Sequence, residues 1–202
     1  MQENSGHRPN RERTRETRSA LLSAARALFV EKGYADTGTP EIVKVANVTR
    51  GALYHHFRDK EDLFRTVIEQ EAAAVSAEIE HSAGATAPPL DALISGSNAY
   101  FDAMAAQGRV RLLLLDGPAV LGPDEMSRID RETGGGSLLD GLAALIGRAP
   151  DPEMEALADM LSASFDRAAL AIAHGARRDD YESAMATLIK TLAGQQPERD
   201  RS

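Results

Sequence analysis

Cysteine and tryptophan are both absent from this 202-residue chain, and only 4% of it is aromatic. Without cysteine there can be no disulfide framework and no thiolate to hold a metal. Long apolar runs are missing too. The run around Val110 to Leu115 is interrupted by Arg111 and falls far short of the roughly 20 residues that span a bilayer. The first stretch, MQENSGHRPNRERTRETR, has no apolar segment, so no secretory leader is expected there. These absences point to a soluble, cytoplasmic protein whose length suits one or two domains around a real core.

What is present concentrates in residues 37–63, TGTPEIVKVANVTRGALYHHFRDKEDL. Thr37, Gly38 and Thr39 precede Pro40 and Glu41, which places a capping residue, a first-turn proline and a first-turn acid together. Ile42, Val45 and Ala46 are the apolar positions of the helix that follows, and Asn47 ends it because asparagine tolerates left-handed backbone. Thr49 is placed to cap a second short helix, Arg50 to His56, with Leu53 and Phe57 on its buried side. Asp59 then caps a third, with Asp62 where a capping box carries an acid. Helix, tight turn and helix make a helix-turn-helix unit.

The second of these helices leaves Thr49, Arg50, Gly51, Ala52, Tyr54 and His55 facing outward. Small residues at its N-terminal end let the backbone approach a major-groove floor, and Arg50 can give two hydrogen bonds to a guanine edge. Tyr54, His55 and Lys60 offer hydroxyl, imidazole and ammonium groups suited to phosphate oxygens, and the helix opening at Lys60 points its positive end the same way. Thr39, at the start of the preceding helix, joins this candidate DNA-binding set.

These residues resemble the N-terminal domain of the TetR-type family of transcriptional regulators. The resemblance is carried by Ala25-x-x-Leu28-Phe29-x-x-x-Gly33-Tyr34, Thr37, Glu41-Ile42, Val48-Thr49, Gly51, Leu53-Tyr54-x-x-Phe57 and Lys60-x-x-Leu63, over the first third of the chain. Val43 stands where the family mostly has alanine and Asn47 where it mostly has glycine. The expected fold is all-α: an N-terminal arm over 1–12, a helix-turn-helix domain over 13–62, a larger helical domain over 63–195, and a disordered tail over 196–202.

Charge divides along the same line. Through Arg65 there are 12 Lys and Arg against 9 Asp and Glu, a surplus of +3, while the remainder carries −11 of the net −8. The first part can approach a polyanion that would repel the second. Arg8, Arg11, Arg13, Arg15 and Arg18 crowd the N-terminal end, where an arm could reach phosphate or a minor groove; a solvated tail is the plainer reading.

Beyond Lys60 a long helix is expected to about Ser82, then a linker over Gly84 to Pro89 and a helix from Pro89 to Ala106. A short helix over Arg109 to Leu115 meets turns at Asp116-Gly117-Pro118 and Gly122-Pro123-Asp124. Thr133-Gly134-Gly135-Gly136-Ser137 follows no strand and precedes no Lys-Ser/Thr pair, so it reads as a break between helices and not as a phosphate cradle. Asp151-Pro152-Glu153 starts one terminal helix, and Asp179 or Asp180 starts the last. The resemblance implies that these two helices form a dimer interface through Leu157, Leu161, Phe165, Ala168, Ile172, Met185, Leu188, Ile189 and Leu192. The residues alone fit an intramolecular hairpin equally well.

The resemblance further implies a ligand-responsive regulator that binds a near-palindromic DNA operator as a homodimer and is released by a small molecule. An activator, or an architectural DNA-binder without effector, is the alternative. The effector pocket is expected around Val67, Glu71, Val75, Tyr100, Phe101, Met104, Leu113, Met126 and Phe165. Catalysis finds no support: Glu78-x-x-His81 has no second pair to complete a di-iron site, and His55 and His56 point to different sides of a helix. No cofactor or metal is expected.

Overall fold

The computed structural model describes residues 10–82, 87–133 and 136–194. Among them are ten α-helices and one π-helical segment, with no strand. The first four are α1 (Asn10–Lys32), α2 (Thr39–Val45), α3 (Arg50–His56) and α4 (Lys60–Ser82). After them come α5 (Pro89–Met104), the π-helical segment Arg111–Asp116, α6 (Gly117–Leu121) and α7 (Pro123–Thr133). The last three are α8 (Gly136–Ile146), α9 (Pro152–Ala173) and α10 (Arg178–Gly194).

The helix ends follow their local chemistry. Asn47 has φ 53, and Val48 N donates to Val43 O at 3.0 Å while Asn47 N donates to Lys44 O at 3.2 Å. This is a Schellman closure of α2 with asparagine in the left-handed place. Thr49 Oγ1 accepts from Ala52 N at 3.1 Å, and Asp151 Oδ1 accepts from Met154 N at 2.8 Å, so both expected caps are formed. Asp59 Oδ1 accepts from Asp62 N at 2.8 Å, but the Asp62 carboxylate reaches back to Arg58 N at 3.0 Å and not to the capping residue itself.

Three expectations change. Thr37 caps nothing: it is buried, and its hydroxyl donates to Gly33 O at 2.7 Å, with Leu28 O at 3.2 Å, sealing the end of α1, while Gly38 is the capping position of α2. Asp116-Gly117-Pro118 is no turn, because proline in the first turn of a helix leaves the chain helical from Arg111 through Leu121. Residues 10–12, assigned to the arm, already belong to α1. The rest of the arm, the tail after Gly194, the linker at 83–86 and the glycines at 134–135 lie outside the described residues.

The core has two parts. One runs from Leu21, Leu28 and Phe29 of α1 through Ile42, Leu53, Leu63 and Phe64 to Val75, Met104, Leu112 and Ile129. Phe64 anchors it, with its ring centroid 5.0 Å from Phe29 and 4.9 Å from Tyr34. This cluster crosses the expected domain boundary, which falls inside α4. The second part gathers Leu93, Phe101, Leu142, Met154, Leu161, Phe165, Met185 and Ile189 around α5, α8, α9 and α10.

Candidate nucleic-acid interface

The turn at Asn47 sets α3 on the surface by burying only Leu53 and Phe57 beneath it. Thr49, Arg50, Gly51, Tyr54 and His55 are exposed, and Ala52, Thr39 and Lys60 are half-buried, so none of the eight expected residues is closed off in the core. Gly51 has only Thr49 Oγ1, at 3.9 Å, near the position a Cβ would take, which leaves an open surface over the first turn. A large flat partner can therefore come close to the backbone there.

Tyr54 links two elements of this face. The neighbouring Thr39 hydroxyl, and then the Arg50 guanidinium, hold its phenol below the ordinary value. Arg50 also lies over the Tyr54 ring, 5.5 Å from its centroid. A guanidinium stacked on a ring keeps its fork of N–H donors aligned while its edge remains available. His56, one step round the helix, is turned inward; burial, then His55 and Arg18, keep its imidazole below the ordinary value. His55 is the outward member of the pair.

Lys60 does more than its sequence position announces. Its Nζ donates to Tyr34 O at 2.9 Å and sits 4.0 Å from the centroid of the Tyr34 ring. The side chain thus ties the start of α4 to the loop after α1. Lys32 pairs with Glu41 and fixes α2 against α1 in the same way.

Sequence reasoning missed one arrangement behind this face. Glu71, buried on α4, accepts from Arg26 Nε of α1 at 2.7 Å and from Arg109 Nε at 3.0 Å. Arg109 Nη1 also donates to Ala103 O at 2.6 Å and reaches Glu78 at 3.0 Å, and Arg26 Nη2 donates to Gln107 O at 3.2 Å. Burial raises the Glu71 carboxyl, but the bonds from Arg26 and Arg109 outweigh it and hold the group below its ordinary value. The available signal was a carboxylate inside the apolar stripe Phe64, Val67, Ile68, Val75, which requires a buried cation to meet it.

The nine residues expected to surround an effector are spread over both parts of the core. Val67, Glu71, Val75, Met104 and Leu113 belong with the first core and Phe101 and Phe165 with the second, while Tyr100 touches both and donates to Asp166 Oδ1 at 2.7 Å. Met126 packs against the first core, and Glu71 is occupied by its arginines. The expected dimer residues also divide. Leu161, Phe165, Ala168, Met185 and Ile189 are buried within the single chain, because α9 and α10 close on α5 and α8. Leu157, Ile172 and Leu192 are half-buried. Leu188 remains 48% exposed, and Met160, absent from the expected set, is 68% exposed.

Residues 21–67 match the model described as bacterial regulatory proteins, tetR family, and residues 90–195 match the tetracyclin repressor-like C-terminal domain. The chain is 36% identical over 108 residues to the HTH-type transcriptional regulator AcrR of Shigella flexneri, covering 53% of this chain and 50% of that one. It is 32% identical over 130 residues to the transposon Tn10 TetC protein of Escherichia coli, covering 64% of each. The chain thus spans between half and two thirds of these curated relatives. A TetR-family regulator from Pectobacterium atrosepticum shares the fold at a TM-score of 0.68 and 30% identity, over 96% of this chain and 100% of that one.

Proposed function

This chain belongs to the tetR family of bacterial regulatory proteins, and from that membership we propose that it is a ligand-responsive repressor that binds duplex DNA as a homodimer. The observation that carries the reading is the face of α3: Thr49, Arg50, Gly51, Tyr54 and His55 lie exposed together over a buried Leu53 and Phe57. Arg50 reads a base edge, while Tyr54, His55, Thr39 and Lys60 fix the helix on the phosphate backbone. One seven-residue helix makes few contacts, so two copies on a near-palindromic operator supply the rest. Met160 and Leu188, exposed and apolar on α9 and α10, support a pairing of those helices between subunits.

Release by a small molecule requires that the C-terminal helices hold two arrangements, only one of which spaces the two α3 helices for adjacent grooves. The continuous core from α1 to Ile129 supports such coupling, since the reading head does not have a separate core of its own. Selection from a random pool of duplexes tests the proposal. Enrichment of an inverted repeat, bound with a steep salt dependence, is expected. Absence of any enriched sequence, or binding by a monomer with undiminished affinity, overturns it.

A further inference from the structure

The line of α1 residues that packs onto α2, α3 and α4 does not stop where the core stops. Leu22, Ala25 and Phe29 follow one another along it at spacings of three and four, and each is 4% exposed or less. Carried toward the N-terminus at the same spacing, that line meets Arg18, Arg15 and Arg11. All three are exposed, and the helix buries no residue between Arg11 and Ser19. Glu12 and Glu16 lie off the line, a quarter-turn or more round the helix. Among the described residues neither Arg11 nor Arg15 meets a carboxylate.

Like charges three and four residues apart on a helix repel, and no burial offsets that repulsion here. The arrangement becomes favourable only against a polyanion. Arg18 fixes where the row begins: its guanidinium carbon stands 5.2 Å from the centroid of the Phe57 ring, the residue that closes α3. It is also close enough to His56 to help lower that imidazole. The row therefore starts over the C-terminal end of α3 and runs outward from it. From Arg18 to Arg11 is about 10 Å at 1.5 Å per residue, as long as seven-residue α3 itself. The planar fork of arginine suits phosphate oxygens. The acidic remainder of the chain, at −11, is the other polyanion within reach of a second copy. Duplex DNA is favoured because Arg18, seated on the end of α3, joins the row to the exposed surface from Thr49 to His55.

We propose that Arg11, Arg15 and Arg18 bind the phosphate backbone of duplex DNA outside the base pairs that α3 meets, so that α1 lengthens the duplex held by each subunit without adding sequence preference. The proposal rests on the reading of this chain as a DNA-binding regulator and deepens it.

The test uses the full-length chain and two duplexes: the selected inverted repeat with about one helical turn of flank on each side, and the same repeat without flanks. Arg11→Gln with Arg15→Gln removes two charges at exposed positions and keeps helix propensity, and Arg18 is left over Phe57. On the flanked duplex this variant should bind at least about tenfold more weakly than the parent, and its salt slope should be lower by about 3–4 units for two phosphates in each of two subunits. Removing the flanks should weaken the parent to the same degree and the variant hardly at all. The ranking of operator variants should not change, and Arg11→Lys with Arg15→Lys should keep most of the slope. An unchanged slope, or equal flank dependence in parent and variant, overturns the proposal. A loss confined to A·T-rich flanks would place the arginines in a minor groove, and a change in oligomeric state would place them at a subunit contact; either overturns it. A parent that selects no sequence, yet binds a mixed-sequence duplex in a way that the glutamine variant loses, would refute the regulator reading and leave the row standing. A parent that selects a repeat while the variant matches it throughout would refute the row alone.

Discussion

Arg109 donates from Nε to Oε2 of Glu71 across 3.0 Å, with both side chains 9% exposed. The pair joins residues 38 apart in sequence, and Arg26 completes it from the opposite side at a separation of 45. Three elements, α1, α4 and the segment after α5, therefore share one buried charge centre. Breaking such a centre from one side leaves an uncompensated ion in the interior.

Arg109→Met should accordingly destabilise the fold by about 3 kcal/mol, at the low end for a broken buried pair because Arg26 still faces Glu71. Urea denaturation measures it. The double change Arg109→Met with Glu71→Leu should recover part of the loss, and failure to recover any would show that the pair contributes little.

The same carboxylate sets a pH dependence. Glu71 titrates below its ordinary value in the folded chain, so its contribution is complete above the unfolded pKa and is lost as pH falls through the folded one. Stability should hold from neutrality down to about pH 5 and decline below about pH 4.3. Glu71→Gln should be less stable at neutrality and show a shallower acid slope. An identical slope in the variant would assign acid unfolding to other carboxylates.

Thr37 supplies a third expectation. Thr37→Val keeps the shape but leaves the carbonyls of Gly33 and Leu28 without its hydroxyl, at a cost of about 1–2 kcal/mol. Thr37→Ser should lose less. A neutral valine variant would mean that water replaces the hydroxyl.

At the surface proposed to meet DNA, Arg50 and Lys60 should behave differently. Arg50→Ala should relax selectivity at one operator position by about 1–3 kcal/mol, read by competition among operator variants. Lys60→Ala should weaken all duplexes alike and lower the salt slope by about one unit. Because Lys60 also anchors Tyr34, its loss should loosen that loop in hydrogen exchange. An unchanged salt slope would reduce Lys60 to the anchoring role alone.

Assembly can be tested without disturbing the single chain. Met160→Glu with Leu188→Glu places charge at 68% and 48% exposed positions, so each chain should keep its helical content while the dimer splits. Phe165→Glu with Ile189→Glu, at buried positions, should unfold the chain instead. Sedimentation velocity and circular dichroism separate the outcomes. A Met160/Leu188 variant that stays dimeric would move the interface elsewhere.

Local chemistry determined much of this molecule. The caps at Thr49, Asp59 and Asp151, the left-handed Asn47 and the exposed run from Thr49 to His55 each depend on neighbours within four residues, so they are legible in order along the chain. Side-chain partners distant in sequence were not. Thr37 looked like a cap because its neighbours are cap-like, yet folding carries it to the end of α1. The apolar stripes of α9 and α10 were visible, but whether a stripe meets its own chain or a second one depends on what covers it. Only the packing of α5 and α8 decided that Phe165 and Ile189 face inward while Met160 and Leu188 remain outside. Glu71 likewise showed a charge in an apolar face, and tertiary structure alone brought Arg26 and Arg109 to either side of it.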